Sequence, residues 1–230
     1  MATIVEQKAA PKTTGRTIHS AFLYDLLLWF VSVGGEQKFR GKALDLAELQ
    51  PGESVLDVGC GTGTLAIAAK RRVGREGSVC GIDASPEMIA RAEKKARKGG
   101  MEVQFKKMLA EALSFSDAQF DVVLSTVMLH HLPRKIRQQC AHEIRRVLKP
   151  GGRLLAIDFA NSAGEERGSF LTWFHRHGRV NFPEVIAMLD DAGLKCVKSG
   201  PMGFGGTQFV LAEVANREAK VGSENVAGKR

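Results

Sequence analysis

Glycines and carboxylates with the spacing of a nucleotide-binding site lie in the first third of the chain. Gly59, Gly61 and Gly63 alternate with other residues, and Asp57 stands two positions before the first of them. Glycine is needed where a sharp turn requires backbone angles that a Cβ forbids, or where a ligand approaches the main chain closely. A second carboxylate, Asp83, lies where acids about 20 residues beyond such a turn bind ribose hydroxyls. This spacing predicts a site for a cofactor that contains a nucleoside.

Two classes of cofactor compete for this segment. Residues 61–66 satisfy the dinucleotide pattern G-x-G-x-x-G/A, which NAD and FAD sites share. The longer string Leu-Asp-Val-Gly-Cys-Gly-Thr-Gly at 56–63 resembles the first motif of class I S-adenosylmethionine (AdoMet)-dependent methyltransferases. That resemblance implies that Asp57 and the glycines hold the methionine part of AdoMet, whereas Asp83 takes the ribose. Because Asp57 would repel a diphosphate but not a zwitterionic amino acid with a sulfonium, we expect AdoMet and not NAD.

The elements that must position these residues are short apolar strands alternating with helices, a pattern that predicts an α/β fold. Strands are predicted at 55–58, 78–83, 103–107, 120–125, 153–159, 194–199 and 207–214, and helices at 42–49, 64–72, 86–98, 134–148 and 183–192. Ser85 before Pro86 is a typical helix start, and Asn181 to Glu184 resembles a capping box. The methyltransferase resemblance implies a Rossmann-like, doubly wound, seven-stranded sheet, mostly parallel with the last strand antiparallel, plus N-terminal cap helices.

The domain boundaries follow from composition. Residues 1–15 are predicted to be a flexible arm, 16–215 the methyltransferase domain, and 216–230 a flexible tail. Within the domain, 16–50 are expected to form N-terminal cap helices, and 160–180 an insertion over the substrate. The nearly continuous apolar stretch 21–33 is too short to span a bilayer. It fits equally a helix over the cofactor and a helix of the core.

Composition narrows the class of protein. With 230 residues and 44% hydrophobic content, the chain can bury one substantial core. The formal charge of +8 is dispersed over separate clusters. We therefore expect solvated helix faces, and nucleic acid is an unlikely partner. The four cysteines lie far apart in the sequence and form no metal-ligand pattern, so we expect a cytoplasmic protein with no metal.

A narrower resemblance comes from both ends of the domain. Residues 146–154, Arg-Val-Leu-Lys-Pro-Gly-Gly-Arg-Leu, are similar to a signature of the ubiquinone/menaquinone-biosynthesis C-methyltransferases, the UbiE-like family. The Glu-x-Ser that follows in that family is half kept, as Asp158-Phe159-Ala160. Residues 24–39 echo its other signature. Where related enzymes have Asp-Ala-Glu against the adenine, this chain has Leu109, Ala110 and Glu111, so the Ala110 backbone or the Glu111 side chain is expected to serve.

Histidines directly after the fourth strand supply the candidate catalytic group. His130 and His131 take up and release protons near neutral pH, and one can act as a base if the acceptor must lose a proton. The alternative is that they pack or cap the following helix. The resemblance adds Tyr24 as a lid over the cofactor, and makes His130 the residue that faces the acceptor. The predicted cofactor contacts are Asp57, Gly59, Cys60, Gly61, Gly63, Asp83, Ala84, Met88, Ala110, Glu111 and Ser125. The predicted substrate contacts are Trp29, Met128, His130, His131, Trp173 and Phe174.

The predicted reaction is in-line displacement of a methyl group from AdoMet by a small or lipid-like, partly apolar acceptor. Two aromatic-rich segments, Phe22 to Phe30 and Phe170 to Phe174, are the two candidate covers of the acceptor. Their aromatic residues favour an acceptor of this kind, and peripheral membrane contact is compatible with it. Two alternatives stay open. One is a noncatalytic AdoMet-binding or scaffold protein, and the other is a methyltransferase acting on a macromolecule. Neither the acceptor nor the oligomeric state follows from the sequence.

Overall fold

The computed structural model describes residues 36–160, 179–204 and 206–215, and these form a seven-stranded sheet flanked by helices. The helices are α1 (Glu36–Leu46), α2 (Thr64–Val73), α3 (Pro86–Lys98), α4 (Arg134–Val147) and α5 (Phe182–Asp191). The strands are β1 (Ser54–Val58), β2 (Ser78–Asp83), β3 (Gln104–Lys107), β4 (Phe120–Thr126), β5 (Leu148–Phe159), β6 (Leu194–Pro201) and β7 (Thr207–Val214). A short 3₁₀ turn, Leu129–His131, follows β4.

The order of the strands confirms the predicted doubly wound fold. They are arranged β3-β2-β1-β4-β5-β7-β6, and β7 runs antiparallel to both of its neighbours while the other neighbouring pairs are parallel. Chain connections diverge between β1 and β4, so a crevice opens at the carboxyl ends of these strands. Ligands of open α/β sheets bind at such a switch point.

Two apolar layers cover the sheet, one on each face. On one face, Leu56, Val123 and Leu154 pack with side chains of α4 and α5. On the other face, Val55, Leu124 and their neighbours pack with α1 and α2. Successive strand residues point to opposite faces, so both layers draw on the same strands. This arrangement explains why the predicted central strands are almost entirely apolar.

Several local predictions are confirmed. The Ser85 hydroxyl caps α3 by accepting a hydrogen bond from the backbone N–H of Met88 at 3.3 Å, with Pro86 in the first turn. At α5, the capping box is only partly formed. The Asn181 amide donates to the Glu184 carboxylate at 3.2 Å, but the Asn181 side chain makes no cap hydrogen bond to the helix backbone.

The bounds of two elements differ most from the prediction. Helix α1 begins at Glu36 and ends at Leu46, whereas the sequence predicted 42–49. Strand β5 begins at Leu148 and includes the predicted turn 149–152. Its register with β4 shifts between Phe120 and Val122, which accommodates the extra residues as an irregularity within the strand.

Part of the predicted organisation lies outside the described residues. This applies to the arm 1–15, most of the cap region 16–50, nearly all of the insertion 160–180 and the tail 216–230. Tyr24, Trp29, Trp173 and Phe174 fall there as well. Along the described parts of the chain, no helix combines the length and apolar character that crossing a membrane requires.

Candidate functional site

The glycine-rich loop between β1 and α2 is fixed against β2. Gly59, Gly61 and Gly63 all have left-handed backbone angles, with φ of 74°, 53° and 75°. The N–H groups of Gly59 and Cys60 both donate to the carbonyl of Ile82 at 2.9 Å. At Gly63, a Cβ would lie within 2.7 Å of Phe105 and Ala92 side-chain atoms. The loop therefore needs glycine both for its angles and for its packing.

Asp83, at the end of β2, is tied directly to this loop. Its Oδ2 accepts a hydrogen bond from the N–H of Gly61 at 3.0 Å, and its Oδ1 accepts one from the N–H of Ser85 at 2.9 Å. Burial raises the pKa of Asp83, and the backbone N–H groups of Ser85, Gly61 and Ala84 oppose that rise. The carboxylate predicted to bind ribose thus stands beside the glycine loop, as the spacing indicated.

Asp57 is buried beneath the loop without a hydrogen-bond partner. It is 1% exposed, and neither carboxylate oxygen is hydrogen-bonded within the described residues. Burial, together with the nearby charge of Asp83, raises the pKa of Asp57 to about 7, and the backbone N–H of Ala66 opposes this rise. A buried carboxylate without a partner is costly, and a cation beside it relieves that cost. The site therefore fits a ligand with a positively charged amino group.

Lys95 holds the glycine loop from α3, a contact that the sequence did not predict. The Lys95 ammonium of α3 donates to the hydroxyls of Thr62 at 2.8 Å and Thr64 at 2.7 Å. These bonds join α3 to the loop and to the first turn of α2. Nothing in the glycine motif identifies Lys95, because it comes 33 residues after Thr62. The nearby Cys60 is an inert thiol, since burial raises its pKa well above the ordinary value.

The remaining predicted cofactor residues occupy different surroundings. Ser125 is the penultimate residue of β4 and has a buried hydroxyl without a partner among the described residues. Met88 is buried in the first turn of α3. Ala110 packs against the core beside α4, and the charge of Glu111 acts on Cys140 of that helix. No contact within the described residues joins Glu111 to the glycine loop, so its role toward adenine stays a prediction.

A sharp turn after β4 brings the second half of the site to the loop. Val127 has a left-handed φ of 54°, which is strained for a β-branched residue. The following Met128 packs onto the loop so closely that a Cβ at Gly59 would lie 2.3 Å from its Cγ. The rings of His130 and His131 lie next, with centroids 3.9 Å apart. The structure therefore brings Met128 and both histidines to the edge of the predicted cofactor site.

His130 is held by a carboxylate that sequence reasoning did not assign. Its ring Nδ1 lies 2.6 Å from Oδ1 of Asp158, and its backbone N–H donates to Oδ2 of Asp158 at 3.1 Å. Asp158 is completely buried and is the penultimate residue of β5. A signal existed, because Asp158 stands where the UbiE-like signature has glutamate. Its partner could not be identified from the sequence, since the two residues are 28 positions apart.

The sequence is similar to those of known methyltransferases. Residues 55–152 match the family described as a methyltransferase domain. A demethylmenaquinone methyltransferase of Thermus thermophilus is 39% identical over 137 residues, covering 59% of this chain and 60% of the relative. A ubiquinone/menaquinone biosynthesis C-methyltransferase, UbiE of Cronobacter sakazakii, is 31% identical over 191 residues, covering 82% of this chain and 74% of the relative. The chain belongs to the UbiE-like methyltransferase family.

Solved structures agree with this family at the level of the fold. A SAM-dependent methyltransferase from Aquifex aeolicus superposes with a TM-score of 0.65 at 26% identity, covering 76% of this chain and 89% of that chain. The chain spans 46–64% of the length of the first four curated relatives that it matches. The cofactor of this family is AdoMet. The Asp57 carboxylate, which has no hydrogen-bond partner among the described residues, fits the ammonium group of its methionine part.

Proposed function

We propose that this protein is an AdoMet-dependent methyltransferase that acts on a small or lipid-like, partly apolar acceptor. The observation that carries the proposal is the Asp57 carboxylate, which is buried beneath the glycine loop without a hydrogen-bond partner in the described residues. An NAD-binding protein would place a diphosphate near this carboxylate, which is electrostatically unfavourable. The ammonium and sulfonium of AdoMet are favourable at the same position.

Three groups of residues are proposed to bind different parts of AdoMet. Asp57 and the loop from Gly59 to Gly63 hold the methionine part, and Asp83 binds the ribose hydroxyls. Ala84, Met88, Ala110, Glu111 and Ser125 are proposed to complete the cofactor site. When bound, AdoMet supplies an already activated methyl group, so the protein chiefly has to orient the acceptor and exclude water.

The acceptor is proposed to bind where β4 and β5 end. Met128 and Leu129 are buried there, and Phe159 packs edge-to-face on His130 with ring centroids 5.7 Å apart. These buried apolar side chains beside the two histidines support an acceptor with an apolar body. Relatives named for demethylmenaquinone and ubiquinone/menaquinone biosynthesis support the same class. Trp29, Trp173 and Phe174 are proposed to cover the acceptor, and Tyr24 to close over the cofactor.

The proposal includes a cytoplasmic location with peripheral contact to membranes that hold the acceptor. Peripheral contact accounts for access to a lipid-like molecule without a membrane span. The net charge of +8 gives a general attraction to an anionic surface, although the charge is dispersed and forms no single patch. Sedimentation of the full chain with vesicles containing anionic lipid tests this part separately from methyl transfer, and absence of the protein from the vesicle pellet would contradict it.

Methyl-labelled AdoMet incubated with the protein and a cell extract tests the proposed reaction. We expect label in material soluble in organic solvent, and an inactive Gly61→Val preparation serves as the control. Label confined to RNA or protein would establish a macromolecular acceptor instead. AdoMet binding by calorimetry with no labelled product from any fraction would support the noncatalytic alternative.

A further inference from the structure

The buried carboxylate of Asp158 is surrounded by hydrogen-bond donors. Its Oδ2 accepts from the backbone N–H of His130 at 3.1 Å, and its Oδ1 accepts from the backbone N–H of Phe159 at 2.7 Å. The third contact joins Oδ1 to Nδ1 of the His130 ring at 2.6 Å. Such a short distance is typical of a charge-assisted hydrogen bond.

These contacts determine where the imidazole carries its proton. A backbone N–H can only donate, so each carboxylate oxygen already acts as an acceptor. An ionised carboxylate has no proton to give, and the third contact must therefore be donated by Nδ1–H of His130. In a neutral imidazole only one nitrogen carries hydrogen. Nε2 is then left with a lone pair and can accept a proton.

The backbone around His130 fixes the direction of the ring. Val127 adopts a left-handed φ of 54° at the end of β4, and its N–H donates to the carbonyl of Ile157 at 2.7 Å. Asp158 then holds both the main chain and the ring of His130. Nε2 has no hydrogen-bond partner among the described residues, and the side chain is only 9% exposed. The strain at Val127 is typical of a functional position rather than of an ordinary turn.

Three titratable groups of the described residues lie near the ring. Asp158 faces it from β5, and His131 packs on it from the same 3₁₀ turn. The bridge between Ala160 and Val180 brings Arg179 to the same end of β5. Of these groups, only the Asp158 carboxylate makes a hydrogen bond with the His130 ring that is seen in the structure, so it governs the proton on Nδ1.

We propose that Asp158 is a positioning residue that keeps the proton of His130 on Nδ1, so that Nε2 serves as the general base for the methyl acceptor. This inference rests on the proposed methyltransferase function. Nε2 takes the proton from an acceptor O–H, N–H or acidic C–H, while the acceptor's electron pair forms the bond to the methyl carbon. The C–S bond breaks with its electrons going to sulfur, which leaves S-adenosylhomocysteine. The imidazolium then returns its proton to water.

A general base at His130 limits which chemical groups the acceptor can carry. A methyl acceptor that is already a free amine or a thioether needs no base, whereas a weakly acidic hydroxyl or activated C–H does. The geometry thus favours an acceptor that must lose a proton in the reaction.

Nitrogen NMR of the full ¹⁵N-labelled chain tests the tautomer without any acceptor. Two-bond ¹H–¹⁵N correlations are recorded at about pH 8, above the ordinary pKa of histidine, because they report which ring nitrogen carries the proton. The His130→Gln variant identifies the His130 signals by their loss. We expect the proton on Nδ1 in the wild type, and loss of that preference in Asp158→Asn. His142→Gln, at an exposed site on α4, is the matched control and must leave the His130 signals in place. A wild-type ring protonated on Nε2, or averaging between tautomers, would overturn the inference even if Asp158→Asn does not fold.

Turnover provides the second readout, measured as label in the organic-soluble fraction of a cell extract. Asp158→Asn is expected to lower the rate by at least about 10-fold, a part of the effect of losing a general base. A wild-type rate in this variant would contradict the inference. AdoMet binding by calorimetry separates the two proposals, since its absence in the wild type refutes the proposed function itself.

Discussion

Two buried carboxylates stand at the same edge of the sheet and have opposite surroundings. Asp57 is the penultimate residue of β1 and has no hydrogen-bond partner in the described part of the chain. Asp158 is the penultimate residue of β5, accepts hydrogen bonds from two backbone N–H groups, and lies 2.6 Å from Nδ1 of the His130 ring. Asp57 pairs with Leu124 of β4, whose side chain packs with α2, so Asp57 lies on that face of the sheet. Asp158 lies two residues after Ala156 in β5, and Ala156 packs with α4, so Asp158 lies on the opposite face.

The difference indicates which charge is meant for a ligand. The charge of the Asp158 carboxylate is stabilised by hydrogen-bond partners inside the protein, among them the ring of His130. Asp57 has no such compensation, which makes a cationic ligand the favourable partner. The proposed site thus has a cofactor half (Asp57, the glycine loop and Asp83) that its ligand completes, and an acceptor half (Met128, His130 and Asp158) that the protein organises before the acceptor binds.

Gly61→Val should remove the cofactor half altogether. Gly61 has a φ of 53° and its N–H binds Asp83, so a β-branched residue both strains the loop and displaces the ligand-binding backbone. We expect no AdoMet binding by calorimetry and a folded protein by circular dichroism. Gly100→Val is the matched control, since Gly100 has a φ of 61° and open space around it. Retained affinity in Gly61→Val would make the turn only structural.

His130→Ala should disable the acceptor half and leave the cofactor half in place. Loss of a general base lowers turnover by about 10²–10⁴-fold, whereas the AdoMet affinity should stay within a factor of about two. Label transfer and calorimetry measure the two effects, with exposed His142→Ala as the control. Near-normal turnover and an unchanged pH profile would show that positioning alone drives the reaction and that His130 is a packing residue.

Asp57→Asn should stabilise the ligand-free protein. The folded pKa of Asp57 is raised to about 7 from an ordinary value of 3.8, so the folded state binds more protons than the unfolded state between these values. The contribution of this group to stability is therefore largest at low pH and is lost as pH rises toward 7. Urea unfolding should show Asp57→Asn gaining a few kcal/mol over wild type near neutral pH, and the gain should shrink toward pH 4.

The same replacement at the other carboxylate should have the opposite sign. Asp158→Asn weakens charge-assisted bonds to N–H groups and should lower the free energy of unfolding by about 1–3 kcal/mol. Asp57→Asn should also weaken AdoMet binding, because the cationic ligand loses its partner. If both variants were destabilised to the same extent, the contrast between the two carboxylates would be wrong.

Val127→Gly should have the smallest effect. Relief of the left-handed strain at Val127 offsets the lost side-chain contacts and the flexibility of glycine, so stability should be unchanged or rise by up to about 1 kcal/mol. Val197→Gly, at a site 52% exposed on edge strand β6, provides the comparison. It should lower stability by about 0.5–1 kcal/mol. Equal losses at both positions would show that Val127 stores no strain.

The cofactor half could be predicted because its signals are local. Asp57 and the glycines are nearly contiguous, and Asp83 follows in the next strand of a single strand-helix-strand unit. Ser85 and Pro86 likewise identified the start of α3 to the residue. Strand and helix periodicity gave the order of elements, and the family resemblance gave the antiparallel β7.

The acceptor half could not be predicted to the same depth because it depends on contacts between distant residues. Nothing local pairs His130 with Asp158, and nothing local places Lys95 on Thr62. The start of β5 was missed because Pro150 and the following glycines are typical of a turn, whereas pairing with β4 keeps them in an irregular strand. Tyr24 and the aromatic residues of the two candidate covers stay predictions.

Calorimetric titration of the full chain with AdoMet tests the central claim most directly. The account predicts that AdoMet and S-adenosylhomocysteine bind and NAD does not. It also predicts that Asp83→Ala weakens binding by roughly 1.5–3 kcal/mol for each charge-assisted hydrogen bond lost, with exposed Asp191→Ala as the control. Tight binding of NAD, or an unchanged AdoMet affinity in Asp83→Ala, would contradict the account.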